Sequence, residues 1–153
     1  MNMNTQRKEL VDRLAEILEK NRDAEKGYAK AAENADSTGL KAFFSRMSRE
    51  RKHFNDELKR ALIASYEKID DDGSFTGTMH RTWMDVKNFF SGNSDESMLE
   101  ECIRGDKAAV EEYGKVLEEE ALPVTVATLI RDQQIKIRTD LKNIKTLEDL
   151  EQS

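Results

Sequence analysis

Residues 8–35 read KELVDRLAEILEKNRDAEKGYAKAAENA and contain no proline. Apolar residues recur along this stretch at alternating spacings of three and four, which is typical of a helix that buries one face. They are Leu10, Leu14, Ile17, Ala24, Tyr28, Ala31 and Ala35. The stretch therefore predicts a long amphipathic helix whose apolar seam faces the other helices of a bundle.

Further segments with helical periodicity follow, separated by short breaks that contain N-cap residues, glycine or proline. Ser94 is a candidate N-cap, and Pro123 both ends one helix and opens the next. The predicted helices span about residues 6–35, 38–68, 75–91, 95–121 and 124–147. Four of these helices are long and the one at 75–91 is short, so we expect an all-α single domain over residues 1–153. The four long helices form two helical hairpins, and the crossover between the hairpins contains the short helix as a fifth one. This arrangement is a ferritin-like four-helix bundle.

Composition narrows the classes of partner. The 153 residues are 37% hydrophobic and 37% charged, and 7 glycines with 1 proline leave few turn-formers for an all-β fold. Because 25 Lys and Arg face 31 Asp and Glu, no excess cationic surface is available for nucleic acid or an anionic membrane. The single cysteine, Cys102, lies on an apolar seam and is expected in the core. No apolar run is long enough to span a membrane, so we expect a soluble cytoplasmic protein.

The two predicted hairpins share a weak repeat. Aligning Tyr28 with Tyr113 also aligns Asn21 with Asp106, and each of these polar residues interrupts an apolar seam seven residues before its tyrosine. A buried polar group costs about 1 to 3 kcal/mol unless it is paired or ligated. Asn21 and Asp106 therefore predict a polar layer inside the bundle.

The second predicted helix adds Glu50 and His53, whose i,i+3 spacing lets a carboxylate and an imidazole approach one metal ion from the same helix. Aligning residues 54–58 with 137–141 places Gln133 and Lys136 of the last helix at the corresponding positions. Di-iron carboxylate bundles use one Glu from each of two helices and a Glu-x-x-His motif from each of the other two. This chain resembles that scheme with about half of its ligands replaced.

Three segments carry a more specific resemblance: residues 22–28 (RDAEKGY), 80–87 (HRTWMDVK) and 99–106 (LEECIRGD). They are similar to a bacterial ferritin-like family of unknown function. The resemblance implies an architecture close to that of rubrerythrin and bacterioferritin, and it implies no established reaction.

Two interpretations of the polar residues remain open. In the first, Glu50, His53 and Asp106 hold one iron, manganese or zinc ion. In the second, the polar residues hydrogen-bond with one another and with Glu50 to fix the helix register. That layer comprises Asn21, Asp106, Gln133 and Lys136. Tyr28 and Tyr113 either hydrogen-bond to the carboxylates from about two turns away or pack in the core.

These interpretations lead to two functional hypotheses. The first is a ferritin-like bundle with a degenerate carboxylate and histidine layer, either metal-free or holding at most one divalent ion, in a stress- or redox-related role. The alternative is a non-catalytic structural or protein-interaction module that acts as a homo-oligomer, most simply a dimer. No catalytic residue is assigned, and ferroxidase activity is not expected because half of the required ligands are missing.

Overall fold

A computed structural model describes residues 3–65 and 94–152, with side chains placed for residues 8–65 and 94–147. Four helices make up this part of the chain: α1 (Met3–Asn34), α2 (Thr38–Ser65), α3 (Asp95–Leu117) and α4 (Val124–Gln152). These residues contain no strand, which confirms the all-α prediction for them. The short helix predicted at residues 75–91 lies outside the described residues.

Serine side chains cap two of the helices. Ser94 Oγ accepts a hydrogen bond of 3.0 Å from the backbone N–H of Ser97, so the prediction of an N-cap at Ser94 is confirmed. At the start of α2, Ser37 Oγ accepts from the N–H of Leu40 at 3.3 Å. Both caps satisfy amides that have no partner within the first helical turn.

Helix α3 ends at Leu117, earlier than the residue 121 that the sequence predicts. The N–H of Glu118 reaches back three residues to the carbonyl of Lys115 at 3.3 Å, which tightens the last turn. Pro123 then disfavours a helical conformation at the residue before it. Helix α4, in contrast, continues past the predicted residue 147 to Gln152.

Each helix packs along its length against two others, so the contacts follow the four sides of a bundle. Helix α1 contacts α2 and α3, and α4 contacts the same two helices. None of the described helices combines the length and the apolar character needed to cross a membrane.

The direction of the helices follows from contacts between their side chains. Asn21 of α1 bonds Tyr113 of α3, whereas Tyr28, further along α1, bonds Asp106, which comes earlier in α3. Helices α1 and α3 are therefore antiparallel. Because α1 and α2 also form an antiparallel hairpin, α2 and α3 run in the same direction. Ser65 and Ser94 consequently lie at opposite ends of the bundle.

The core consists of two hydrophobic clusters, one in each half of the bundle. The first is built from the N-terminal half of α1, the C-terminal halves of α2 and α3 and the N-terminal half of α4. The second is built from the C-terminal half of α1, the N-terminal halves of α2 and α3 and the C-terminal half of α4. It contains Cys102, which is buried as the sequence predicts. At the boundary between the clusters every helix supplies one buried polar residue: Asn21, Arg51, Asp106 and Asp140.

Candidate functional site

Arg51 is the centre of the polar boundary, and none of its surface is exposed to solvent. It occupies α2 between the core residues Met47 and Phe54 and on the same face of the helix, so its side chain enters the bundle between the two hydrophobic clusters. Its guanidinium carbon lies 5.4 Å from the ring centroid of Phe54 and 5.8 Å from that of Tyr28. These distances suit cation–π contacts, which are stronger away from water.

Three carboxylates from three helices contact this one guanidinium. Nη2 donates to Asp106 Oδ2 at 3.0 Å, and Nη1 donates to Glu50 Oε1 at 2.9 Å and to Asp140 Oδ2 at 3.2 Å. Tyr28 adds a fourth partner, since its hydroxyl donates to the same Asp106 oxygen at 2.6 Å. We call Glu50, Arg51, Asp106, Asp140 and Tyr28 the arginine cluster.

The arginine keeps its charge inside the bundle. Burial alone would lower the pKa of Arg51, but Asp106, Tyr28, Asp140 and Glu50 outweigh burial and raise it above its ordinary value. Burial also raises the pKa of Asp106, although Arg51 and the Tyr28 hydroxyl oppose that rise. The charged pair is therefore held in place by mutual attraction in a region that water does not reach.

The acidic groups exceed the positive charge, since three carboxylates meet one guanidinium. Burial and the neighbouring carboxyl of Glu50 raise the pKa of Asp140 to about 7, against the opposing effect of Arg51. Asp140 and Glu50 both contact Arg51 Nη1, so their carboxyl groups lie close to each other. One proton shared at this edge of the cluster reduces the repulsion between them.

A second buried network, without net charge, adjoins the first hydrophobic cluster. The Asn21 side-chain amide donates to the Tyr113 hydroxyl at 2.8 Å, and that hydroxyl donates to Gln133 Oε1 at 2.7 Å. Gln133 Nε2 then donates to the backbone carbonyl of Phe54 at 3.0 Å. This amide chain links α1, α3, α4 and α2 in turn.

The two networks are related by the sequence repeat. Tyr28 bonds Asp106, and the repeat-equivalent Tyr113 bonds Asn21, the residue aligned with Asp106. Both tyrosines are fully buried, and both use their hydroxyls in the polar layer. Tyr28 therefore combines the two roles that the sequence left open, core packing and a hydrogen bond to a carboxylate, whereas Tyr113 packs in the core and bonds the amides of Asn21 and Gln133.

His53 and Lys136 lie outside this layer. His53 has 64% of its side chain exposed, and its Nε2 is 3.3 Å from Glu57 Oε1 one turn along α2. Lys136 is exposed, with Nζ 6.0 Å from the centroid of the Phe54 ring. The structure brings together Glu50, Asp106 and Tyr28, and separately Asn21, Tyr113 and Gln133, but it adds neither His53 nor Lys136 to them.

No three His, Cys, Asp or Glu side chains within residues 3–65 and 94–152 form a group that fits a metal ion. One oxygen each of Glu50, Asp106 and Asp140 is bonded to Arg51, whereas the buried Asp106 Oδ1 has no hydrogen-bond partner among the described residues. The donor set predicted from the sequence, Glu50, His53 and Asp106, does not converge on one point, because His53 is exposed and pairs with Glu57.

Arg51 and Asp140 are the residues that the sequence interpretation missed. Both stand at regular seam positions, because Met47, Arg51 and Phe54 are spaced by four and three, and Ile137, Asp140 and Ile144 by three and four. Seam spacing was the signal that could have found them. The Glu-x-x-His motif instead indicated Glu50 and His53, which lie on either side of Arg51 in the sequence.

In residues 3–65 and 94–152, four helices surround a buried arginine–carboxylate cluster. Residues 9–119 match the model of a family described as a domain of unknown function, DUF2383, and this match covers more than half of the chain. The chain therefore belongs to that family. No curated protein matches the chain.

Proposed function

We propose that this protein is a ferritin-like bundle in which Arg51 supplies the positive charge that metal ions supply in the di-iron members of that architecture. The observation that carries the proposal is the fully buried guanidinium within 3.2 Å of oxygens from Glu50, Asp106 and Asp140. In this view the carboxylates are retained as partners of the arginine and the protein is a non-catalytic structural module.

Electrostatics supports the same conclusion. A divalent ion placed among these carboxylates would lie within a few ångströms of a guanidinium that stays charged, and at an effective dielectric constant of 20 two unit charges 4 Å apart already repel by about 4 kcal/mol. His53, the one nitrogen donor predicted, lies at the surface. The residues present therefore do not fit a carboxylate–histidine metal centre.

Metal titration tests the proposal. Protein purified without chelator is analysed for metal and then titrated anaerobically with Fe²⁺ and with Mn²⁺, beside the Glu50→Ala and His53→Ala variants. We expect no stoichiometric binding and no change in melting temperature on adding EDTA. Stoichiometric binding that is lost in both variants would refute the proposal and establish the metal site predicted from the sequence.

We further propose that the module acts as a homo-oligomer through the face formed by α2 and α4. Ile135 is 53% exposed there, beside a cavity of about 290 Å³ whose lining includes Phe54 and Leu129. An exposed apolar side chain beside a concave surface favours association with a complementary surface, and a second copy supplies the same features in a two-fold dimer.

Sedimentation velocity of Ile135→Lys beside Ile63→Lys tests this face. Ile63 is 49% exposed, and it lies nine residues after Phe54 on α2, which turns it to the opposite side of that helix. We expect a dimer for the wild type and Ile63→Lys and a monomer for Ile135→Lys. A monomeric wild type, or a dimer that both variants retain, would reject the proposed interface.

A further inference from the structure

A groove between α3 and α4 combines an apolar floor with a basic rim. It is open to solvent, has a volume of about 420 Å³ and is lined by Ile103, Lys107, Leu141, Lys142 and Lys145. Ile103 packs from the groove onto the second hydrophobic cluster, so the floor is continuous with the core. The volume lies within the range of pockets that bind small molecules, about 300 to 1,000 Å³.

The charge at the groove has one sign. All three charged residues in its lining are lysines, although the whole chain carries a net charge of -6. Lys107 and Lys142 are exposed, and within the part of the chain that the structure describes neither has an ion-pair partner. The two ammonium groups are thus available to an anionic ligand that also brings an apolar portion.

The size of the groove selects the kind of ligand. Lys107 lies one turn after Ile103 and Lys145 one turn after Leu141, so each helix contributes a length of about 6 Å. A stable protein partner would need about 800 Å² of surface on each side, far more than these five residues provide. We propose that the groove binds the monomer of a fatty acid, with the alkyl chain on Ile103 and Leu141 and the carboxylate between Lys107 and Lys142.

Calorimetric titration of the full chain with monomeric octanoate tests this site. We expect saturable binding of one octanoate per chain, weaker binding of butanoate by about fourfold for each buried methylene lost, and no binding of octyltrimethylammonium. Lys107→Glu/Lys142→Glu should weaken octanoate binding at least tenfold. The matched variant Lys26→Glu/Lys52→Glu changes the same charge at exposed positions on α1 and α2 and should bind within twofold of the wild type.

Amide chemical shifts locate the bound chain. Octanoate should shift the resonances of Ile103 and Leu141, and circular dichroism should show both double variants as helical as the wild type. Absence of binding, equal binding by the two variants, or shifts centred elsewhere would overturn the proposal. Binding to phosphatidylglycerol vesicles without binding to the monomeric acid would overturn it as well, because the groove would then recognise a membrane surface.

Discussion

At the scale of the residue, Arg51 is the position whose loss should cost the most stability. Arg51→Met removes the only cation in contact with Asp106 and Asp140 among the described residues and leaves two buried acidic groups unpaired. We expect the free energy of unfolding to fall by about 3 to 5 kcal/mol in urea denaturation, as for other broken buried ion pairs. Arg49→Met, an exposed neighbour on α2, should change it by less than about 0.5 kcal/mol.

A double variant separates the charge effect from packing. In Arg51→Met/Asp106→Leu both members of the pair become apolar, and we expect this variant to recover more than half of the stability lost in Arg51→Met. If the double variant is less stable than Arg51→Met, the cost arises from altered packing and the ion-pair account of the cluster fails.

Asp140 should make the stability of the protein depend on pH. Its pKa rises from 3.8 to about 7 on folding, so the folded state keeps a proton that the unfolded state releases. This contribution is fully present below pH 4 and is lost as pH rises through 7. The free energy of unfolding should therefore fall between pH 4 and pH 8.

Asp140→Asn removes the titrating group and keeps an oxygen that can accept from Arg51. Its stability relative to the wild type should increase from pH 5 to pH 8, measured by urea denaturation at each pH. Asp132→Asn, at an exposed position on the same helix, should follow the wild-type curve. Parallel curves for Asp140→Asn and the wild type would show that Asp140 does not carry the pH dependence.

The sequence supplied part of this polar layer. Asn21 and Asp106 were identified because a polar residue on an apolar seam needs a partner, and Gln133 was identified by aligning the last helix with the second. All three are buried and hydrogen-bonded. The burial of Arg51 was not predicted because arginine is usually exposed, and because this burial depends on carboxylates that α3 and α4 contribute. The spacing of α2 places Arg51 on the apolar seam, but it does not identify the acidic partners that α3 and α4 contribute.

At the scale of the element, Asp95 joins the two hairpins at one end of the bundle. The carboxylate of Asp95, in the first turn of α3, accepts the backbone N–H groups of Asp36 and Ser37 at 2.9 and 3.1 Å. Asp95→Ala leaves both amides in the α1–α2 turn without this partner. We expect a loss of about 1 to 2 kcal/mol, since hydrogen bonds to a charged group contribute more than neutral ones.

Hydrogen exchange provides a local measure of this link. Amide exchange at Asp36 and Ser37 should accelerate in Asp95→Ala, whereas Glu100→Ala, an exposed position on α3, should leave it unchanged. Unchanged exchange in Asp95→Ala would mean that the turn is held by its own residues alone.

The existence of the helices could be predicted better than their ends. Seam periodicity extends over whole helices, so it predicted all four described elements. The end of α3 depends on the backbone bond from Glu118 to Lys115, and many sequences adopt such a tightened turn. In the sequence only Pro123 indicates the end of α3. A proline limits how far a helix can extend, but it does not determine the residue at which the helix ends.

At the scale of the whole molecule, the two hairpins should depend on each other. Both hydrophobic clusters contain residues from all four helices, and Arg51 finds two of its partners in the other hairpin. Peptides of residues 1–65 and 94–153 should each show reduced helicity alone, because each leaves an apolar face in water. An equimolar mixture should show more helical signal in circular dichroism than the sum of the two.

The arginine cluster gives this reconstitution a specific control. Arg51→Met in the first peptide should weaken association at least tenfold, whereas Arg49→Met should leave it unchanged. Peptides that are fully helical apart, with no change on mixing, would instead mean that each hairpin is a folding unit of its own.

The single arginine also bears on how such a bundle can be assembled. Aligning the last helix with the second places Gln134 at the position of Arg51, and Gln134 uses its amide to bond the carbonyl of Val110. Two identical hairpins related by an exact two-fold axis would each bring an arginine to the middle, giving a pair of like charges. Joining unequal hairpins in one polypeptide permits a single arginine at the centre, paired with carboxylates from three helices. An exactly symmetric assembly forbids this charge distribution.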